Sequence, residues 1–414
     1  MGGMDASPTR KPALGFIFIT LVLLVLGFGI IIPVLPALVT RFQGGNIAEG
    51  SASFGWLVSI YALMQFIAAP ILGSLSDRFG RRKIILTALA GSAIDYVIMG
   101  FAPTLAWMFV ARMISGMTAG ALATCNAYIA DVTPPEKRAQ GFGLVGAAFG
   151  FGFAIGPAIG GFLGGINIHL PFFAAAACVG INALYGAFVL PESLPPELRR
   201  PFSWRRANPV GSLLALRRHR GVFDLALMYF IFTFGQTILQ SIWALYTTYR
   251  YHWNTALVGY SLTFVGVMTI IVQGGLVRRI IAWTGERRGL VIGLLISATA
   301  FVGYGSATRG WMIYVVVCVG VWGGIAGPAV QALITKHVSA DEQGAVQGAL
   351  SGLVSLSAIF APLLGAWSFA KCISDHARWQ LPGIAFYEAA ALMLVALALA
   401  YRSFQLYDQL QKTL

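Results

Sequence analysis

The chain has 414 residues, of which 57% are hydrophobic and only 10% charged, whereas an ordinary soluble domain carries roughly 25% charged residues. This excludes a disordered chain, a coiled coil and a soluble cytosolic enzyme, and it reads as an all-α polytopic membrane protein. Each bilayer-crossing helix takes about 20 apolar residues, so twelve would leave only short loops, and the formal charge of +13 points to nucleic acid or anionic lipid until its location is known.

In chain order, glycine, proline and charge punctuation predicts apolar spans at 14–39, 54–76, 84–102, 105–130, 140–163, 170–190, 222–247, 256–277, 289–307, 310–333, 344–370 and 380–403. The first follows Arg10 and Lys11 and exceeds the apolar core of a signal peptide. No small-residue cleavage site follows it, so it is expected to be retained. Lys and Arg accumulate in cytoplasmic loops. Alternating the twelve spans puts 22 basic residues on the side of the N-terminus and 5 on the other, with Arg112 alone inside a span. Both termini are therefore expected in the cytoplasm of a cell whose inner (plasma) membrane holds the chain. The charge is a topology signal, and nucleic acid is not expected as a partner.

The longest loop, 191–221, is rich in Pro and Arg and separates two halves, 1–190 and 222–414. The halves repeat weakly. Val132-Thr133-Pro134-Pro135-Glu136 after span four resembles Val338-Ser339-Ala340-Asp341-Glu342 after span ten, 206 residues on. Gly143 and Pro157 of span five recur as Gly348 and Pro362 of span eleven, 205 residues on. Two such six-helix bundles are expected, related as parallel repeats.

Between spans two and three runs Gly73-Ser74-Leu75-Ser76-Asp77-Arg78-Phe79-Gly80-Arg81-Arg82-Lys83. Gly73 and Gly80 suit a tight turn and close helix approach. Asp77, Arg78 and Arg81 can pair with opposite charges or helix ends, and Asp131, at the end of span four, is expected to join them in a gate. The matching loop of the second half keeps Gly285, Arg287 and Arg288 but has no acid at the place of Asp77, so an asymmetric gate is expected. Span five holds Gly152, Gly156, Pro157, Gly160 and Gly161, in which small residues four apart permit close helix packing and Pro157 a bend.

These strings carry a resemblance. The loop resembles the G-x-L-x-D-R-x-G-R-R-K signature of the major facilitator superfamily at every fixed position. Span five resembles the G-x-x-x-G-P-x-x-G-G motif of its antiporters. Leu26-Gly27 with Pro33-Val34-Leu35-Pro36 in span one, and Arg112, Gly116 and Gly120 in span four, resemble motifs of its twelve-span drug/proton antiporters. Tyr61-Ala62-Leu63-Met64-Gln65, Ile129-Ala130-Asp131 and Gln343-Gly344-Ala345-Val346-Gln347-Gly348 are similar to the tetracycline/proton antiporters. The resemblance implies a major facilitator fold that rocks two bundles around a midplane cavity.

Charges inside spans stand out against this background, because an ionisable group at mid-bilayer costs several kcal/mol and is functional by default. Asp95 lies about eleven residues into span three, roughly 16 Å deep at 1.5 Å per residue. Removal from water favours the neutral form of a carboxyl group, so Asp95 is the candidate proton carrier, with Arg112 as its counter-charge. The resemblance implies a transport role for an aspartate at this position. Glu388 in span twelve is a second candidate. Gln65, Gln236, Gln240, Gln273 and Gln331 are candidates for a substrate cavity or for bonds between helices. Trp243, Tyr246 and Tyr249 at the end of span seven are expected to form an interfacial belt.

The chain departs from the tetracycline antiporters at three places, with Leu24 and Ser297 where they carry acids and Thr269 where they carry histidine. The expected function is proton-coupled efflux of a small amphipathic or hydrophobic molecule, a tetracycline-like drug among the candidates. The rival is an uptake system or uniporter for a small organic metabolite on the same fold. No Gly-rich phosphate loop is present, so the proton gradient, with no cofactor or metal, is the expected energy source. The expected partners are the substrate, protons and the lipid bilayer, and a monomer is expected. The chain is not expected to be an enzyme.

Overall fold

The computed structural model describes residues 10–134, 137–203, 220–336, 338 and 343–413. Among them there are helices, turns and loops and no β-strand. Among the described residues, twelve helices are long and apolar enough to cross a membrane: Leu14–Phe42, Ile47–Phe79, Arg81–Phe101, Leu105–Val132, Gly143–Ile166, Leu170–Val189, Phe223–Tyr251, Thr255–Leu276, Glu286–Ser306, Gly310–Lys336, Val346–Ile373 and Ile384–Leu406.

Local chemistry explains where the spans start, break and end. Span two begins at Ile47, seven residues before the hydrophobic pattern implies. Asn46 caps it, its Oδ1 accepting from the backbone N–H of Ala48 (3.0 Å) and of Glu49 (3.3 Å), groups that a helix start leaves unsatisfied. Span one breaks after Ile31, where Pro33 has no N–H to give, and restarts as Leu35–Phe42. Span four divides at Gly120 into Leu105–Thr118 and Ala121–Val132. Span eight carries a π-helical turn, Val272–Leu276, and span ten a 3-10 turn, Val321–Ile325, each containing a Gly-Gly pair. Val272, Val277 and Ile325 pack there as one buried cluster. Gly80 (φ +100°) and Gly285 (φ +77°) each turn the chain from one span into the next, in a region favourable only to glycine. They lie 205 residues apart, which extends the sequence repeat.

The chain forms two compact units, Met1–Val34 with Met64–Asn208, and Leu35–Leu63 with Pro209–Leu414. These boundaries differ from a division at the 191–221 loop. Residues 35–63 cluster with the second unit because span two packs there on span eleven. Ser51 Oγ donates to the Ala366 carbonyl (3.2 Å) and Ser59 Oγ to that of Ile359 (2.6 Å). The start of the long loop belongs to the first unit, where Tyr128 donates to the Pro191 carbonyl (3.0 Å) and the Arg200 N–H to that of Asp77 (3.1 Å).

In the second unit the aromatic residues of span seven are core and not an interfacial belt. Trp243 and Tyr246 are buried. Trp243 donates to Ser261 Oγ (3.0 Å), and Tyr246 donates to the Tyr304 carbonyl (2.8 Å) and packs edge-on to Phe386. Tyr249 is half-buried against Phe369. Helix periodicity turns these residues inward, where the polar tips of Trp243 and Tyr246 find partners.

Candidate functional site

Spans three and four form a hairpin that puts a charge pair in the interior of the first unit. The buried face of span three contains Ala88, Leu89, Ser92, Asp95, Tyr96 and Met99, the three-and-four spacing of one helix face. Span four presents Met108, Ala111, Arg112 and Ser115. Arg112 Nη2 lies 3.1 Å from Asp95 Oδ2, and both residues are buried. The same nitrogen lies 3.1 Å from the Met99 sulfur, a weak acceptor. Asp95 Oδ1 is buried without a hydrogen-bond partner, and Ser115 of span four stands beside the carboxyl group. Met99 carried no polar signal in the sequence; only its place four residues after Asp95 could have marked it.

Glu388 lies in the second unit and is half-buried. Ser368 of span eleven donates to its Oε2 at 2.8 Å. The candidate cavity glutamines are not buried amides. Gln65 and Gln236 are partly exposed, while Gln240, Gln273 and Gln331 are exposed. Gln331 donates to the Tyr229 hydroxyl at 3.1 Å. Gln273 stands on the π-helical turn against Gly324 of the 3-10 turn.

The signature loop closes on itself and on its neighbours. Arg81 sits 2.6 Å from Asp77, four residues back across the Gly80 turn, and 3.2 Å from Asp131 at the end of span four. It also donates to Ser76 Oγ (2.5 Å), so three acceptors from two spans converge on one guanidinium, whose planar fork suits several acceptors. Arg78 lies over the Phe79 ring at 5.0 Å. Gly73 does not make the expected turn or close approach. It lies within the helix Ile47–Phe79, and a Cβ there would meet nothing within 4 Å.

The loop after span six completes this cluster. Glu192 accepts from the Arg81 N–H (2.8 Å) and from the N–H groups of Ser193 and Leu194 (both 3.1 Å). Ser193 Oγ donates to Asp131 (3.1 Å), and the Ser203 N–H reaches Ser74 Oγ (3.4 Å). A Cβ at Gly80 would collide with the Glu192 carboxylate. Its signal in sequence was the acid-serine pair after Pro191, a turn-forming string, but nothing local names Arg81 as the partner.

Span five packs on span one through its glycines. Cβ atoms at Gly152, Gly156 and Gly160 would meet Val25, Gly29 and the Ile30 carbonyl oxygen respectively. Pro157 lies inside the helix Arg138–Ile166, and Gly161 is buried beside Gly160. Of the positions where the chain departs from the antiporter pattern, Leu24 and Thr269 are partly exposed. Ser297 is buried, its Oγ has no partner, and Gly323 packs directly on it.

A model of the Major Facilitator Superfamily matches residues 17–362 and 282–409. The chain is 38% identical over 379 residues to the tetracycline resistance protein, class C, of Escherichia coli, covering 91% of this chain and 93% of that one. It is 38% identical over 359 residues to the class G protein of Vibrio anguillarum, covering 83% and 89%. The crystal structure of the human organic anion transporter MFSD10 superposes with a TM-score of 0.71 at 24% identity, over 95% of this chain and all of that one, which shows a shared fold.

Proposed function

We propose, from the premise that this chain belongs to the Major Facilitator Superfamily, that it exports a small amphipathic or hydrophobic compound in exchange for protons. As a member of that family it is a membrane-embedded transporter of small molecules and not an enzyme. The observation that carries the coupling is the buried Asp95–Arg112 pair. A buried ion pair is a poor source of stability, so a use in transport accounts for it better than architecture does.

In this reading a proton taken up at Asp95 Oδ1 neutralises the carboxylate and weakens its hold on Arg112. The freed guanidinium then turns to another acceptor, so the change of protonation state becomes a change of packing between spans three and four. Loss of the proton to the other side of the membrane restores the pair. Two such states, each exposed to one side, give alternating access driven by the proton gradient. Glu388, held by Ser368, is a second group able to carry a proton. Asp77, Arg81 and Asp131 would act on the cytoplasmic side as the gate.

The 22-to-5 distribution of basic residues supports cytoplasmic termini, and the relatives support the inner membrane. We place the two six-helix bundles at 1–190 and 222–414 and read the chain as a monomer without a nucleic-acid partner. The relatives named for tetracycline resistance make a tetracycline the first compound to test. Leu24, Thr269 and Ser297 stand where the antiporter pattern has ionisable groups, so the substrate is expected to be bound by a different set of groups.

The test is proton-driven uptake into inverted membrane vesicles, with tetracycline and unrelated amphipathic drugs offered in turn. The wild-type protein should accumulate at least one compound and release protons as it does so. Asp95→Asn should abolish coupled transport, and undiminished coupled transport by that variant would remove Asp95 from the mechanism.

A further inference from the structure

Each unit ties the start of one span to the end of the next with an ion pair, and the two pairs occupy matching places in the internal repeat. Gly80 is followed by Arg81, and 205 residues later Gly285 is followed by Glu286. Asp131, the partner of Arg81, is matched at the same interval by Lys336, the partner of Glu286. Arg81 Nε lies 3.2 Å from Asp131 Oδ2, and Lys336 Nζ lies 2.5 Å from Glu286 Oε1. Geometry is repeated while both charges are inverted.

The inversion has a physical consequence. A helix carries partial positive charge at its N-terminus and partial negative charge at its C-terminus. Arg81 is the first residue of the helix Arg81–Phe101, and Asp131 lies in the last turn of Ala121–Val132. Each opposes its own helix end. Glu286 is the first residue of Glu286–Ser306, and Lys336 is the last of Ala326–Lys336. Each of these complements its helix end. Separating the first pair leaves two charges facing like-signed helix ends, whereas separating the second leaves both compensated.

Surroundings point the same way. The side chains of Arg81 and Asp131 are 11% and 24% exposed and are held further by Asp77, Ser76 and Ser193. Those of Glu286 and Lys336 are 28% and 62% exposed. The adjacent Arg287 is engaged elsewhere, 2.9 Å from Asp408 and over the Phe404 ring.

We infer that Glu286 and Lys336 form the readily released latch of the transport cycle, and that Arg81 and Asp131, within the gate, are its more firmly held, charge-inverted counterpart. This rests on the transporter reading given above. The decisive variant keeps the pair and reverses its polarity: Glu286→Arg combined with Lys336→Asp. It should slow the cycle about fivefold, because each charge now opposes its helix end, and it should leave the half-saturating substrate concentration unchanged. Deuterium exchange of the full chain in lipid nanodiscs should slow in the segments 286–290 and 331–336. In the same assay Lys336→Gln should leave exchange within about twofold of the wild type, while Asp131→Asn should raise exchange in 126–132 about tenfold. Wild-type turnover and exchange in the reversed pair, or equal responses to Lys336→Gln and Asp131→Asn, would overturn the inference. A wild-type protein that moves no compound would instead sink the transporter reading, and the exchange measurements would still decide the latch.

Discussion

Asp95 is held through one carboxylate oxygen, and its other oxygen is buried and unused. Removing either member of such a pair leaves the other as an uncompensated buried charge or an unpaired polar group, at a cost of about 3–5 kcal/mol. Asp95→Asn and Arg112→Gln should therefore each lower resistance to unfolding by detergent. The double variant should lose clearly less than the sum, since both changes act on one interaction. Additive losses would mean that the two residues do not stabilise one another. Ser297 gives a second residue-scale prediction. Restoring the acid of the antiporter pattern as Ser297→Asp should lower the melting midpoint without a gain in tetracycline export, because the site is buried and gives the Ser297 Oγ no partner, so a carboxylate there would be an unpaired buried charge. Increased export from a stable Ser297→Asp protein would show that span nine can pair or hydrate a carboxylate at this position.

At the scale of elements, the contact of spans one and five depends on the absence of side chains. Gly160→Ala would drive a methyl group into the Ile30 carbonyl, and overpacking of this kind costs about 1–3 kcal/mol. Gly143→Ala on the same helix, where a Cβ meets nothing within 4 Å, is the control and should be neutral or slightly stabilising through helix propensity. Melting midpoints of the two variants check this, and equal midpoints would contradict the packing. The glycine spacing was legible in the sequence, because helical period alone puts residues four apart on one face. The irregular turns in spans eight and ten were not. Apolar composition is unchanged where a helix widens or tightens by one hydrogen bond, and the Gly-Gly pairs were the sole local trace.

For the whole molecule, the distribution of basic residues predicts which side each loop faces. A fluorescent protein fused after Leu414 should fluoresce, whereas alkaline phosphatase inserted between Gly44 and Gly45 should be active, because each folds only on its own side of the membrane. The opposite pattern would reverse the proposed topology and move the gate to the other face.

Apolar patterning and charge were enough for the membrane class and the twelve spans, and the motifs carried the resemblance to the family. A bilayer imposes the spans along the chain, as runs of apolar residues bounded by charge. The sequence by itself also exposed Asp95 and Arg112 as rare interior charges. Only the tertiary structure decided which groups meet. Span rotation and register bring Glu192 to Arg81 across 111 positions, pack Ser59 on span eleven across 300 and turn Trp243 and Tyr246 inward. Neither rotation nor register is written in composition. The inverted pair lies between these cases: both helix ends and all four residues stand in the sequence, but the pairing became visible once space brought Glu286 to Lys336.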